Sequence, residues 1–414
     1  MKTLTVATLV TCLTVGVIAG SRMPMAAEPY HLGVAFGLTG TGAPYSREAV
    51  DAIRMAVDEI NDEGGFLGEH PITLFIENTR TKPEVATSVA TRLIEQDEVR
   101  AIIGTYSSAT ALAIKPICRA NGVLHIATLS NSEDITRLDP SPYTYSVVPN
   151  TYMISKAVAI GIAKLAEAND WKSYVTIASD YAWGRSSQEV QVAMLKDLAP
   201  DIQLVGSFWP PIGYVGFNAF IVAIMNEKPD FVLASIAGAD NARWDAAVRD
   251  YHLEKLTAIP GGLISVTELI NEADWLQRGS YGRARAPFFA HMDIPMMANF
   301  VEQYWSRYGR YPSDWAVMAY DGVYALKQGI EKAGSIETDT VKDAMKGATI
   351  QTTRGELFFR DVDNQLSVSA YFGRIGDDLA YEFPIYVELQ EFKGPDIWRP
   401  EEEILNARAL STGN

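Results

Sequence analysis

The sequence predicts an α/β protein of two similar lobes, each a parallel sheet covered by helices. Three observations predict it. Strand-length apolar runs alternate with amphipathic segments of ten or more residues, a pattern that demands crossover connections and parallel pairing. The order strand, glycine-bearing loop, helix runs over residues 31–149 and restarts near Thr151. The chain has 414 residues, 48% of them hydrophobic, enough for two or three cores at roughly 100–200 residues each.

In the first half, residues 31–37 read as a buried strand leading into the loop 37–46, GLTGTGAPYS. Val50, Ile53, Val57 and Ile60 then recur at helical spacing, closed by Gly64 and Gly65. Residues 72–77 form the next strand, and a helix starts at Pro83 with Val85, Val89 and Leu93 on one face. A short strand at 101–104, a helix at 109–121 ended by Gly122, and a strand at 124–127 complete this half. Ligands of such sheets sit outside the C-terminal ends of the strands. The loops there are 38–46, 105–108 and 128–132.

The second half opens on a helix carrying Ile154, Val158, Ile162 and Leu165. It continues with a strand at 173–179, the loop DYAWGR, a helix at 186–198, a strand at 203–208, a helix near 217–226 and a strand at 231–234. The loop SIAGAD opens another helix, and 256–259 run into Pro260, Gly261 and Gly262. Residues 271–295, rich in Arg and aromatics, read as an irregular return to the first lobe. Helices are expected at 296–308, 315–333 and 341–346, strands at 352–360 and 384–390, and no periodic structure after Phe392.

The N-terminus has Lys2 followed by an apolar run over 4–18. That run is shorter than the roughly 20 residues a membrane span needs. With Ala26 and Ala27 before Glu28, residues 1–27 read as a cleaved signal peptide. Cys12 lies in a poor, early match to a lipidation site. Loss of Lys2 and Arg22 takes the net charge from −16 to −18. Such acidity argues against nucleic acid or an anionic membrane as partner. One cysteine remains, Cys118, read as buried packing. With no second thiol, the exported chain relies on its core.

Gly37, Gly40 and Gly42 have the spacing GxxGxG, which is not the dinucleotide fingerprint, and no GK[ST] follows. They permit a tight turn and leave N–H groups at a helix start, able to hold a carboxylate. Hydroxyls crowd two neighbouring strand ends: Thr105, Tyr106, Ser107 and Ser108, then Thr128, Ser130, Asn131 and Ser132. Ser or Asn before a helix is a natural cap, and the two clusters together form a neutral donor set. Tyr45, Tyr106, Tyr181 and Trp183 at the crevice loops suit the walls of an apolar pocket. The five histidines are scattered, and neither HExxH nor GxSxG occurs. No metal, cofactor or catalytic set is expected.

The segments GLTGTGAPYS, AVDEINDEGGFLG, IIGTYSSATALAIKPICRANGV and DYAWGR resemble the type I periplasmic binding proteins of the branched-chain amino acid branch, over roughly residues 30–392. The resemblance implies two Rossmann-like lobes joined by three hinge crossings and closing on a solute for an ABC permease and its ATPase. It implies lobe one at 28–149 plus about 282–352, lobe two at 150–281 plus about 353–398, and a tail at 399–414. Tyr45 would pack on the ligand, and Ser107 and Ser108 would hold its carboxylate. Leu129, Ser130 and Asn131 would offer a carbonyl and donors, and Trp183 would cap the pocket. Ala237 and Gly238 lie where the next loop approaches. A periplasmic monomer without a cofactor is implied. A ligand-sensing module on the same fold is the alternative, and an enzyme the more distant rival.

One departure sets the expected solute. Amino-acid-binding relatives place an acid in the loop matching residues 259–264, but here none occurs before Glu268. A buried ammonium without a counter-charge is costly by several kcal/mol. The expected solute is therefore an organic acid, aromatic or aliphatic, or an amide, and not an ordinary α-amino acid.

Overall fold

The computed structural model describes residues 28–412; the signal-peptide expectation for 1–27 lies outside them. The first lobe is a five-stranded parallel sheet. Its strands are β1 (Tyr30–Phe36), β2 (Ile72–Asn78), β3 (Ala101–Gly104), β4 (Leu124–Ala127) and β5 (Thr144–Ser146), in the order β2-β1-β3-β4-β5. Registers such as Leu32↔Ala101 and Ala101↔Leu124 align the strand ends along one edge. Helices α1 (Ala43–Asp62), α2 (Pro83–Glu95) and α3 (Ser108–Ala120) make the crossovers. Cys118 is buried on α3, where burial pushes its thiol up to about 12.

After Ser146 the chain passes to the second lobe through α4 (Thr151–Asn169). There β6 (Ser173–Ala178), α5 (Ala182–Leu198), β7 (Gln203–Phe208), α6 (Asn218–Glu227), β8 (Phe231–Ser235) and α7 (Ala239–Asp250) build a parallel β7-β6-β8 sheet. A bridge from Phe231 to Ala258 continues it toward β9 (Gly262–Leu263). Helix α8 (Val266–Asn271) and β10 (Tyr281–Ala284) follow. The chain then returns to lobe one for α9 (Pro295–Tyr308), α10 (Asp314–Ala333), α11 (Thr338–Met345) and the pair β11 (Thr349–Thr352) and β12 (Gly355–Phe358). A third passage leads to β13 (Ala370–Gly376) and β14 (Ile385–Phe392), then α12 (Gly394–Ile397) and α13 (Glu401–Thr412).

Several expectations are corrected. Residues 271–295 are not wholly irregular: β10 sits inside a sheet, parallel to β9 and antiparallel to β13. Its four residues include a buried arginine, which hid the strand pattern. The expected strand at 352–360 is a hairpin, because Arg354 at its turn is drawn inward onto Asp321 at 2.8 Å. DYAWGR is not all loop, since α5 begins at Ala182. The segment after Phe392 is helical; buried Ile404 anchors α13, whose first turn carries Glu401, Glu402 and Glu403 at the favourable end of the helix dipole. Strands β5 and β13 were not anticipated, and β13 and β14 pair antiparallel.

The first and third passages are stitched together. Ser146 accepts from Leu366 N at 2.9 Å, and Gln365 Nε2 donates to Val148 O at 2.7 Å. Asp314 ties the second: it accepts from the backbone N–H groups of Val266, Arg285 and Ala286 at 3.0, 2.7 and 2.9 Å. Among the described residues, no helix is long and apolar enough to cross a membrane.

Candidate functional site

The crevice between the lobes is walled from both sides. Pro44 in the first turn of α1 starts that helix, and Tyr45 follows it, so its ring points off the helix start. Tyr45 stacks on Trp315 of α10 with centroids 4.4 Å apart and lies 5.9 Å from Tyr106. From lobe two, Tyr181 precedes α5 and Trp183 sits in its first turn, their rings 5.9 Å apart. Each close pair contributes about 0.5–1.5 kcal/mol beyond simple burial. All of these except Tyr181 are buried.

The lobes touch at this mouth. Ala239 N donates to Thr41 O at 3.0 Å, and Thr267 donates to Glu48 at 2.9 Å. Two glycines set the close packing here, Gly42 within lobe one and Gly238 between the lobes. A Cβ on Gly42 would meet the Tyr106 ring at 2.3 Å. One on Gly238, whose φ is +67°, would meet Thr41 O at 2.3 Å and the Tyr106 hydroxyl at 2.7 Å. Gly238 and buried Ala237 therefore lie against lobe one.

The hydroxyl-rich loops divide their work. Ser107 precedes α3 without a side-chain cap, and its carbonyl is taken by Ala111 N, Thr105 and Thr110. Ser108 accepts from Asn131 N at 3.3 Å and Ser132 N at 3.0 Å, lashing the two loops together. Asn131 donates its side-chain amide to Pro149 O at 3.0 Å and its backbone carbonyl accepts from Thr151 N, so this residue holds the first passage. The buried Ser130 hydroxyl has no partner. Leu129 O accepts from Arg285 at 3.5 Å.

Sequence reasoning missed the charges. Arg283 and Arg285 are 2% and 4% exposed. The Arg285 guanidinium lies 4.7 Å from the Trp315 centroid and 5.9 Å from that of Trp183, and the Arg283 guanidinium also lies 5.9 Å from the Trp183 centroid. Burial lowers both pKa values, and for Arg283 the neighbouring Arg285 charge adds to the effect. A guanidinium stays protonated in a protein, so this pressure is relieved by an anion and not by proton loss. The alternation R-A-R was the available signal, since residues i and i+2 of a strand share a face.

Glu268, outside the expected loop, does reach the crevice. Its Oε1 accepts from Tyr45 at 2.5 Å, and its Oε2 caps the start of α8 through Ser265 N and the Ser265 hydroxyl. Both oxygens are engaged, so it bolts lobe to lobe. Burial pushes its carboxyl up to about 7, against the opposing hydrogen bonds from Ser265 and Tyr45. Glu272 and Asp245 also face it, and Asp245 is itself raised by burial and by these two acids. The folded value exceeds the ordinary 4.5. This contribution to stability is therefore complete below about pH 4.5 and is lost as pH rises to about 7, a change of about 3 kcal/mol. Glu268→Gln does not titrate there, so its unfolding free energy in urea should gain about 3 kcal/mol on wild type between pH 4.5 and 7.5. A pH-independent difference would show an ordinary carboxyl.

Among the described residues, no His, Cys, Asp and Glu group could hold a metal ion. Comparison with known proteins agrees with this architecture. The periplasmic binding protein family model matches residues 29–379. The Leu/Ile/Val-binding protein BraC3 of Rhizobium johnstonii is 27% identical over 386 residues, covering 89% of this chain and 95% of that one. A periplasmic binding protein from Burkholderia mallei superposes with a TM-score of 0.81 at 17% identity, covering 91% of this chain and 97% of its own. A solute-binding protein of an ABC transporter from Rhodopseudomonas palustris, in complex with 3,4-dihydroxybenzoic acid, gives 0.77 at 20% identity, covering 90% and 99%.

Proposed function

The chain belongs to the periplasmic binding protein family, and from that premise we propose that it is the solute-binding component of an ABC importer, capturing a small organic acid between its lobes. The observation that carries the acid is the pair of buried guanidiniums set among aromatic rings. An acid supplies the missing negative charge, and its carbon skeleton packs on Trp183, Tyr45 and Tyr106. An α-amino acid fits less well, because Glu268 already spends both oxygens on Tyr45 and Ser265.

In this reading lobe one comprises residues 28–149 with the return segment from α9 through β12, and lobe two runs from α4 through β10 and resumes at β13 and β14. The boundaries expected near 282 and 353 shift because β10 pairs with β9 and β13, and β12 with β11. Ser107, Ser108, Leu129 and Ser130 present donors and a carbonyl from lobe one. Tyr181, Trp183, Ala237 and Gly238 close from lobe two, while Asn131 sets the hinge. The solute favours closure only through its greater affinity for the closed form. Residues 1–27 direct export, the loaded monomer docks on a permease and its ATPase, and the chain performs no reaction of its own.

The test is a calorimetric screen of aromatic and aliphatic acids against leucine and valine, repeated on Trp183→Ala. An acid should bind and lose at least tenfold in affinity in the variant. Tight leucine binding with no acid binding would refute the solute class, and unchanged affinity in Trp183→Ala would remove the crevice.

A further inference from the structure

The charge in the crevice exceeds what one carboxylate can balance. Among the described residues, no carboxylate oxygen lies in ion-pair distance of Arg283 or Arg285. The nearby acids are already committed: Asp314 to three backbone N–H groups, Glu268 to Tyr45 and Ser265, and Asp240 to Arg243 and Gly213 N. What the guanidiniums do contact is neutral. Arg283 Nη2 reaches Ser235 Oγ at 3.2 Å and Ala234 O at 3.4 Å, and Arg285 Nη1 reaches Leu129 O at 3.5 Å. Arg283 Nη1 and Arg285 Nε are buried donors with no partner.

The two cations are also separated in purpose. Arg283 lies in β10 and Arg285 just past its end, and Arg285 reaches a lobe-one loop while Arg283 reaches the end of β8 in lobe two. The Trp183 ring stands 5.9 Å from each. Arg285 reaches Leu129 O, next in sequence to the buried Ser130 hydroxyl, which has no partner. Arg283 has the Ser235 hydroxyl beside it, which itself donates to Gln191 Oε1 at 3.4 Å. Two unmatched cations, one bonded to lobe two and the other to lobe one, each 5.9 Å from the same indole ring, describe a receptor for two anionic groups.

Resting on the reading of the crevice as the solute site, we infer that the solute is a dicarboxylate. One carboxylate pairs with Arg285 and the Ser130 hydroxyl, the other pairs with Arg283 and Ser235, and the linking ring or short chain lies against Trp183. Closure then brings each lobe's wall onto its own acid group, so the second charge contributes directly to holding the lobes together.

The test titrates the mature chain at pH 7.5 with terephthalate against benzoate and adipate against hexanoate, in wild type, Arg283→Gln, Arg283→Lys and Trp183→Ala. At least one diacid should bind tenfold or more tighter than its monoacid. That advantage should vanish in Arg283→Gln, where the diacid loses more affinity than its monoacid, and return in part in Arg283→Lys. Unfolding curves of the unliganded variants confirm that each is folded. Monoacids binding as tightly as diacids, a diacid advantage that survives Arg283→Gln, or no binding by any of the four acids would each overturn the dicarboxylate. The crevice reading fails separately: it falls if affinities are the same in Trp183→Ala, and stands if monoacids alone bind and lose affinity there.

Discussion

Arg285→Met is expected to lower acid affinity by at least thirtyfold while raising the melting temperature of the unliganded protein. The two effects share one cause. Arg285 is buried against Trp315 and Trp183 with no carboxylate partner and a single long hydrogen bond to Leu129 O. Removing one member of a desolvated charge contact costs about 2–5 kcal/mol in binding. A buried guanidinium without a carboxylate partner carries a desolvation cost that a well-packed apolar side chain of similar size does not. The backbone N–H of residue 285 still reaches Asp314 in the variant, so the second passage stays tied. Calorimetry with the acid identified in the screen and thermal unfolding without it measure the two halves. A melting temperature that falls would show that Arg285 holds the fold and not the solute.

The second large effect concerns stability. Asp321 of α10 accepts from Thr353 N at 2.8 Å, Thr353 Oγ1 at 2.9 Å and Arg354 Nε at 2.8 Å. Arg354 Nη2 in turn donates to Val147 O at 2.9 Å in the first passage. Both side chains of this ion pair are essentially inaccessible, at 2% and 0%. Asp321→Ala strands the guanidinium and should cost about 3–5 kcal/mol of unfolding free energy in urea. The double variant Asp321→Leu with Arg354→Met should recover most of that loss. A loss below about 1 kcal/mol in Asp321→Ala would mean that water reaches the pair.

The parts of this molecule that could be read along the chain are those whose physics is local. The first four strands and their helices follow from apolar spacing, as in Val50, Ile53, Val57 and Ile60, all buried on α1. Tyr45 and Trp183 could be placed near a crevice because parallel strands direct their C-terminal loops to one edge. β10 could not, because a strand four residues long that contains an arginine carries no apolar alternation. Glu268 was visible as an acid, but its distance in sequence from Tyr45, 223 positions, concealed that it would meet that hydroxyl. The hairpin at Thr353 and Arg354 depends on a carboxylate some 30 residues earlier, so its turn has no local signal.

The sequence by itself determined the class of this protein: repeated strand–loop–helix units, the family, and aromatic and hydroxyl residues at the strand ends. These follow from periodicity and from short-range rules, which any chain with this pattern obeys. Only the tertiary structure decided what the crevice is charged to receive. Whether a buried guanidinium is paired depends on which carboxylates the fold brings near it, and here the fold turns Asp314 and Glu268 to backbone and hydroxyl donors and leaves Arg283 and Arg285 without one. Pairing over such separations depends on three-dimensional distance, which spacing along the chain does not encode.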